Sequence, residues 1–189
     1  IKGRSDAALT LNNIDQSVSG YAGAFQPQIG IGTLPAGNSW WMEFEVSFVK
    51  TGTAQPASFP EMHAGAIDID GDGSAIRERV AFYGASSYML ESISALSVNN
   101  VTGTISQPSL SGTQFTGPLA NYPGMDSAIL DILGTVRYIN TSMITLRIGG
   151  TTTGTAGSND RDYSIRFRDL SASSPLSTLP VNFASFTAT

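Results

Sequence analysis

The clearest periodicity in the chain runs from Trp40 to Phe48. Trp40, Met42, Phe44, Val46 and Phe48 alternate with Trp41, Glu43, Glu45 and Ser47. A period of two predicts a strand with one buried and one wet face. Tyr163, Ile165 and Phe167 alternate in the same way with Asp162, Ser164, Arg166 and Arg168, and Ile144, Leu146 and Ile148 share one face of a strand over 143–148. Further strands are predicted at 7–11, 79–83, 87–98 and 135–139, with an extended edge segment over 17–31 that Pro27 interrupts. Residues 54–60, with Pro56 and Pro60, read as a loop. Residues 101–124 read as long loops with at most one short strand, and 149–159 as a Gly/Thr loop. The one helix candidate is Asp126–Gly134: Asp126 is placed as an N-cap, apolar residues fall at 129, 130, 132 and 133, and Gly134 marks a stop.

Roughly eight to ten short strands with turn signals between them predict an all-β fold. The in/out alternation predicts antiparallel pairing. The expected architecture is an antiparallel β-sandwich, jelly-roll-like, with at most one short helix. Residues 1–178 read as one domain, and 179–189 as a C-terminal strand or linker towards a next domain or a neighbouring subunit. A chain of 189 residues buries a sizeable core without covalent staples, and no repeat of fixed period points to a solenoid or propeller.

Composition narrows the partners. The net charge is −5 and the only lysines are Lys2 and Lys50, a balance that argues against nucleic acid and anionic membrane surfaces. Cysteine is absent, so no disulfide reports on compartment. Abundant Thr, Ser, Gly and Asn suit an extracellular surface protein. No apolar run approaches the roughly 20 residues of a spanning helix, and no signal peptide is visible.

The most conspicuous chemistry lies in Asp68-Ile69-Asp70-Gly71-Asp72-Gly73-Ser74. Three carboxylates at alternate positions in a glycine-bent loop repel one another unless a cation sits between them, and Ca²⁺ is the ion that suits such a loop. Asp68, Asp70 and Asp72 are the expected ligands, with an oxygen of Ser74 or Glu78 as a further one. The twelfth position from Asp68 is Arg79, where a helix-loop-helix calcium site requires Glu, so the expected site is strand-loop-strand. The alternative is a polar turn: Gly71 and Gly73 supply positive φ, and the Asp side chains cap backbone amides.

Trp40 and Trp41 must point to opposite sides of a regular strand. One anchors the core, while Trp41 either stacks on a sugar or a partner protein or is covered by neighbouring loops. Glu43 and Glu45 share its side of the strand. Glycoside cleavage needs two carboxylates, so this pair keeps a glycosidase in view, although two Glu on a wet face are what any half-buried strand shows. His63 is the single histidine. A Ser-His-Asp triad could be built only on it, and with no serine elbow nearby it reads as structural or surface. Zinc sites of the usual kind lack their His and Cys ligands, and no phosphate-binding glycine loop is present.

Two segments carry resemblances. The pattern Asn13-Ile14-Asp15-Gln16, Phe25-Gln26-Pro27, Trp41-Met42-Glu43-Phe44 through Lys50-Thr51-Gly52-Thr53, then Ile67-Asp68-Ile69-Asp70-Gly71 and 78–83, resembles an uncharacterised module of large secreted surface proteins of Bacteroidota. It spans roughly residues 13 to 169 and brings no activity with it. The tail Leu179-Pro180-Val181-Asn182-Phe183-Ala184-Ser185-Phe186 is similar to the segment that follows the globular region in type 9 secretion substrates, which implies secretion by that route. Asp126-Ser127-Ala128 resembles the O-glycosylation acceptor of that phylum, which implies a glycan on Ser127, in competition with the helix cap. Asn100-Val101-Thr102 and Asn140-Thr141-Ser142 fit the N-glycosylation pattern, incidental in a bacterial chain.

The expected function is a secreted, non-enzymatic surface module, stabilised by Ca²⁺, acting as a structural or adhesive unit. Leu179, Val181, Phe183 and Phe186 are the expected assembly strand, joining copies or adjacent domains head to tail or packing on their own sandwich. The rival is a carbohydrate-binding or glycoside-cleaving domain that uses Trp41 with Glu43 or Glu45.

Overall fold

A computed structural model describes residues 1–5, 8–16, 23–125 and 129–169. Ser127 and the tail residues Leu179, Val181, Phe183 and Phe186 lie outside the described residues. The architecture is an all-β sandwich with antiparallel pairing throughout the described residues. The larger sheet has six strands, in the order β1 (Gly3–Arg4), β4 (Ser39–Ser47), β11 (Met143–Thr152), β6 (Ile76–Tyr83), β9 (Ser111–Thr116) and β8 (Ser97–Thr102). Facing it are β13 (Ser164–Asp169), β5 (Phe59–Ile67), β10 (Gly134–Thr141) and β7 (Ser87–Met89). A small third sheet joins β12 (Asn159–Asp162), β3 (Gln28–Ile31) and β2 (Thr10–Asn13). Strands β4, β5, β6 and β7 alternate between the two large sheets, and β9, β10 and β11 insert between them on the way back. That winding is jelly-roll-like.

The alternation seen in the sequence builds the core. Trp40, Met42, Phe44 and Val46 of β4, Ile144, Leu146 and Ile148 of β11, and Val80 and Phe82 of β6 are buried on the inner face. They meet Met62, Ala64 and Ala66 of β5, Val136 and Tyr138 of β10, and Ile165 and Phe167 of β13 in one cluster. Edge-on rings tie the layers: Phe48 lies 5.6 Å from Phe167, and Phe115 lies 6.1 Å from Tyr88.

Several expectations change: the strand expected over 87–98 splits into β7 and β8 around residues 90–96, and the loops expected over 101–124 contain the end of β8 and all of β9. The described part of the helix candidate, from Ile129 on, holds a 3-10 turn at Leu130–Ile132, and Gly134 opens β10 instead of ending a helix; the expected Asp126 cap lies outside the described residues. The backbone there is bound to distant partners: Ile69 N donates to Ile132 O, and Ala95 N to Asp131 O. The expected loop over 54–60 yields its end to β5, which begins at Phe59 and includes Pro60. Among the described residues Pro60 has no paired residue on either neighbour, since β13 reaches only Met62 and the β10 register skips it, which suits a residue without an amide proton. The expected Gly/Thr loop over 149–159 supplies the last turnless residues of β11, up to Thr152.

Candidate functional site

The outer face of the six-stranded sheet carries the candidate site. Cross-strand register puts Trp41, Gly149, Arg79 and Thr116 in one row, and Glu43, Arg147, Ala81 and Gln114 in the next. Gly149 and Ala81 leave the middle of these rows nearly empty, and a cleft of about 330 Å³ opens over them. Its lining includes Trp41, Arg147, Tyr83, Arg79, Gln114 and Thr102. Gly149 is required by close approach, since a Cβ there would collide with the Trp40 carbonyl oxygen.

One ion pair sets the shape of this face. Glu43 is 0 % exposed. Its carboxylate accepts from Arg147 Nε at 2.8 Å and from the amide of Ile105 at 3.0 Å. The expected wet face is therefore covered at Glu43: the segment after β8 returns across the sheet, and the Ile105 side chain rests on Gly3. Held from below, the Arg147 guanidinium lies 4.0 Å from the Trp41 ring centre and 5.3 Å from that of Tyr83, within reach of cation–π attraction. Burial pushes the Tyr83 hydroxyl above its ordinary pKa, and the residue is only 3 % exposed. Glu45, on the same side as expected, pairs with Lys2 at 3.5 Å. Glu43 and Glu45 are thus brought to one face, but each is engaged by a cation, and Glu43 offers no free oxygen to a ligand. Trp41 is half-buried and lines the cleft.

Arg79 stands differently from Arg147. Its Nη2 donates to the Gly150 carbonyl at 2.8 Å, while its Nε is buried without a partner. Among the described residues no carboxylate lies within ion-pair distance of it, and burial pulls its pKa down. Sequence reasoning missed Arg79 and Arg147 as site residues. Their polar side was readable from the alternation in β6 and β11; their convergence on Trp41 follows only from the strand order.

The acidic loop folds as its polar-turn alternative describes at Asp72. Asp72 Oδ1 accepts from the amides of Ser74, Ala75 and Ile76 at 2.8, 2.7 and 2.8 Å. Gly73 takes the positive φ, of 75°, but Gly71 is needed for a different reason: a Cβ there would strike the Leu119 carbonyl. Asp70, 3 % exposed, accepts the amide of Tyr122 at 2.7 Å. Glu78 points into the sandwich and accepts from Arg161 Nε at 2.8 Å and Nη2 at 2.5 Å, and Arg161 also lies 3.7 Å from Asp70 Oδ1. Ser74 is exposed, with its amide on Asp72. The cation among these carboxylates is the protein's own guanidinium. Among the described residues no group of three or more acidic, histidine or cysteine side chains is placed to hold a metal ion, so the Ca²⁺ expectation keeps only the sequence spacing as its basis.

Asp68 adopts a left-handed backbone with φ 64°, and its Oδ1 is buried without a partner. Burial, reinforced by Asp70 and opposed by Arg161, raises its pKa from 3.8 to about 7. Burial likewise pushes Glu78 upward against the pull of Arg161. His63, on β5, lies 3.7 Å from Glu61 and shares a cleft of about 100 Å³ with Thr135, Arg166 and Arg168 of the same four-stranded sheet.

No family model, curated protein or solved structure matches the chain. No helix among the described residues is long and apolar enough to cross a membrane.

Two outcomes follow from the carboxylate geometry. Arg161→Met leaves Glu78 buried and unpaired and should destabilise the fold by about 3–5 kcal/mol in denaturant unfolding. The double change with Glu78→Gln should recover much of that loss; no recovery would mean that Arg161 acts through packing instead of charge. The raised pKa of Asp68 means the folded state holds this proton more tightly than the unfolded chain. Its contribution to stability is full below about pH 4 and lost as the pH rises through about 7. Asp68→Asn keeps the size and tolerates the positive φ, so melting temperature should fall less across that window than in the parent. Parallel profiles would contradict the assignment to Asp68.

Proposed function

We propose that this chain is a secreted, non-catalytic surface module that adheres to glycans through the Trp41 cleft. The observation that carries the reading is the cleft itself: a half-buried indole ring beside two guanidinium groups, a side-chain amide and hydroxyls, over a floor opened by Gly149 and Ala81. Flat rings give sugars an apolar surface, and the polar groups fix their hydroxyls. The adhesive half of the sequence expectation and its carbohydrate-binding rival thereby merge into one reading. Against cleavage stands the state of the acidic pair, since Glu43 is locked between Arg147 and Ile105 and Glu45 faces Lys2. An acid and a base for glycoside cleavage both need access to the sugar. Secretion is supported by the composition and by the resemblance of the tail to type 9 substrates. Head-to-tail joining through Leu179–Phe186 rests on sequence alone. Stabilisation by Ca²⁺ rests on the spacing of Asp68, Asp70 and Asp72 alone, since the one cation beside Asp70 and Glu78 is the Arg161 guanidinium.

A glycan array with the purified protein tests this reading. Binding to a defined set of oligosaccharides is expected, and Trp41→Ala should abolish it while costing the fold only about 1–2 kcal/mol. An array without binders, or undiminished binding by a folded Trp41→Ala protein, would remove the proposal.

A further inference from the structure

We infer that the glycan is an acidic one, anchored by a sugar carboxylate on Arg79. The inference rests on the glycan reading above and names the class of sugar. Of the two arginines that line the cleft, Arg147 already has its charge matched by Glu43 at 2.8 Å. Arg79 has no such match: no described carboxylate lies within ion-pair distance, and its Nη2 donates to a backbone carbonyl, that of Gly150. None of the residues lining the cleft is acidic. The cleft therefore carries a surplus positive charge, in a chain whose net charge is −5.

A half-buried guanidinium without a counter-ion costs folding energy. An anion that enters the cleft removes that cost as it binds. Arg77 lies two residues before Arg79 on the same strand face and is exposed. The negative charge elsewhere on the chain is screened beyond about 8–10 Å in physiological salt, so the local field decides. A planar carboxylate matches the guanidinium fork, and the neighbouring half-buried Trp41 ring supplies a surface for the pyranose that carries it. A neutral sugar would leave the charge of Arg79 unmatched.

The test measures calorimetric binding of paired oligosaccharides: uronate- and sialate-bearing chains, the same chains with carboxyls reduced to alcohols, and sulfated neutral chains. The parent protein should bind acidic chains at least about tenfold more tightly than their reduced forms, the scale of one charge-assisted hydrogen bond. Arg79→Gln should erase that preference, with folding checked by circular dichroism, whereas Trp41→Ala should lose acidic and neutral chains alike. Equal binding of an acidic chain and its reduced form by the parent protein overturns the inference with no variant needed, and leaves the glycan reading standing. A preference for sulfate over carboxylate, or a carboxylate preference that survives in Arg79→Gln, overturns it too. If no chain of any kind binds, the glycan reading falls with it.

Discussion

Nine consecutive residue pairs hold β4 against β11, from Ser39 opposite Thr151 to Ser47 opposite Met143. This register decides which side of the sheet every important group meets. It sends Trp40 into the core, 1 % exposed, and Trp41 to the outer face. A slip of one residue would exchange the two and turn Glu43 and Glu45 inward, so the hydrophobic face of β4 enforces the pairing. Gly149 locks it from the other strand, because a side chain there would meet the Trp40 carbonyl. The same missing side chain leaves the floor of the cleft open. Packing and site thus share one constraint.

Two carboxylate–guanidinium pairs stand on the two sides of that sheet. On the outer face Glu43 grips Arg147 and the amide of Ile105, which ties the returning segment to the sheet and aims the guanidinium at Trp41. On the inner face Glu78 grips Arg161, joining β6 to β12 across 83 residues of sequence. Both acids are all but fully buried, so each costs desolvation that only a well-placed partner offsets. They therefore act as struts, and the chemistry open to a ligand is left to Trp41 and to Arg79.

Much of the fold was legible because apolar alternation is a local property. The strand expected over Trp40–Phe48 is found at Ser39–Ser47, and the alternation at 162–168 falls in β12 and β13. Alternation names the side of a residue but says nothing about what covers it. Glu43 was read as wet, and its burial depends on a segment that reaches over from the far edge of the sheet. The acidic loop shows the same limit of local pattern. Alternate Asp residues look convergent, but Asp72 is satisfied by amides within four residues, and the cation beside Asp70 and Glu78 arrives from β12. Over 130–134 the helix candidate gives way because backbone groups at Asp131 and Ile132 have long-range partners that no local pattern announces.

The central claim is that the outer face presents an accessible cationic cleft beside Trp41, and quenching of tryptophan fluorescence by iodide and by caesium tests it most directly. Only two tryptophans emit, and Trp40 is shielded in the core. The account predicts that iodide quenches a large part of the emission and caesium much less, because Arg79 and Arg147 flank the Trp41 side while no carboxylate lines the cleft. The acidic chain as a whole would favour the opposite order. Caesium quenching as strong as that of iodide, or emission that neither ion reaches, would contradict the account.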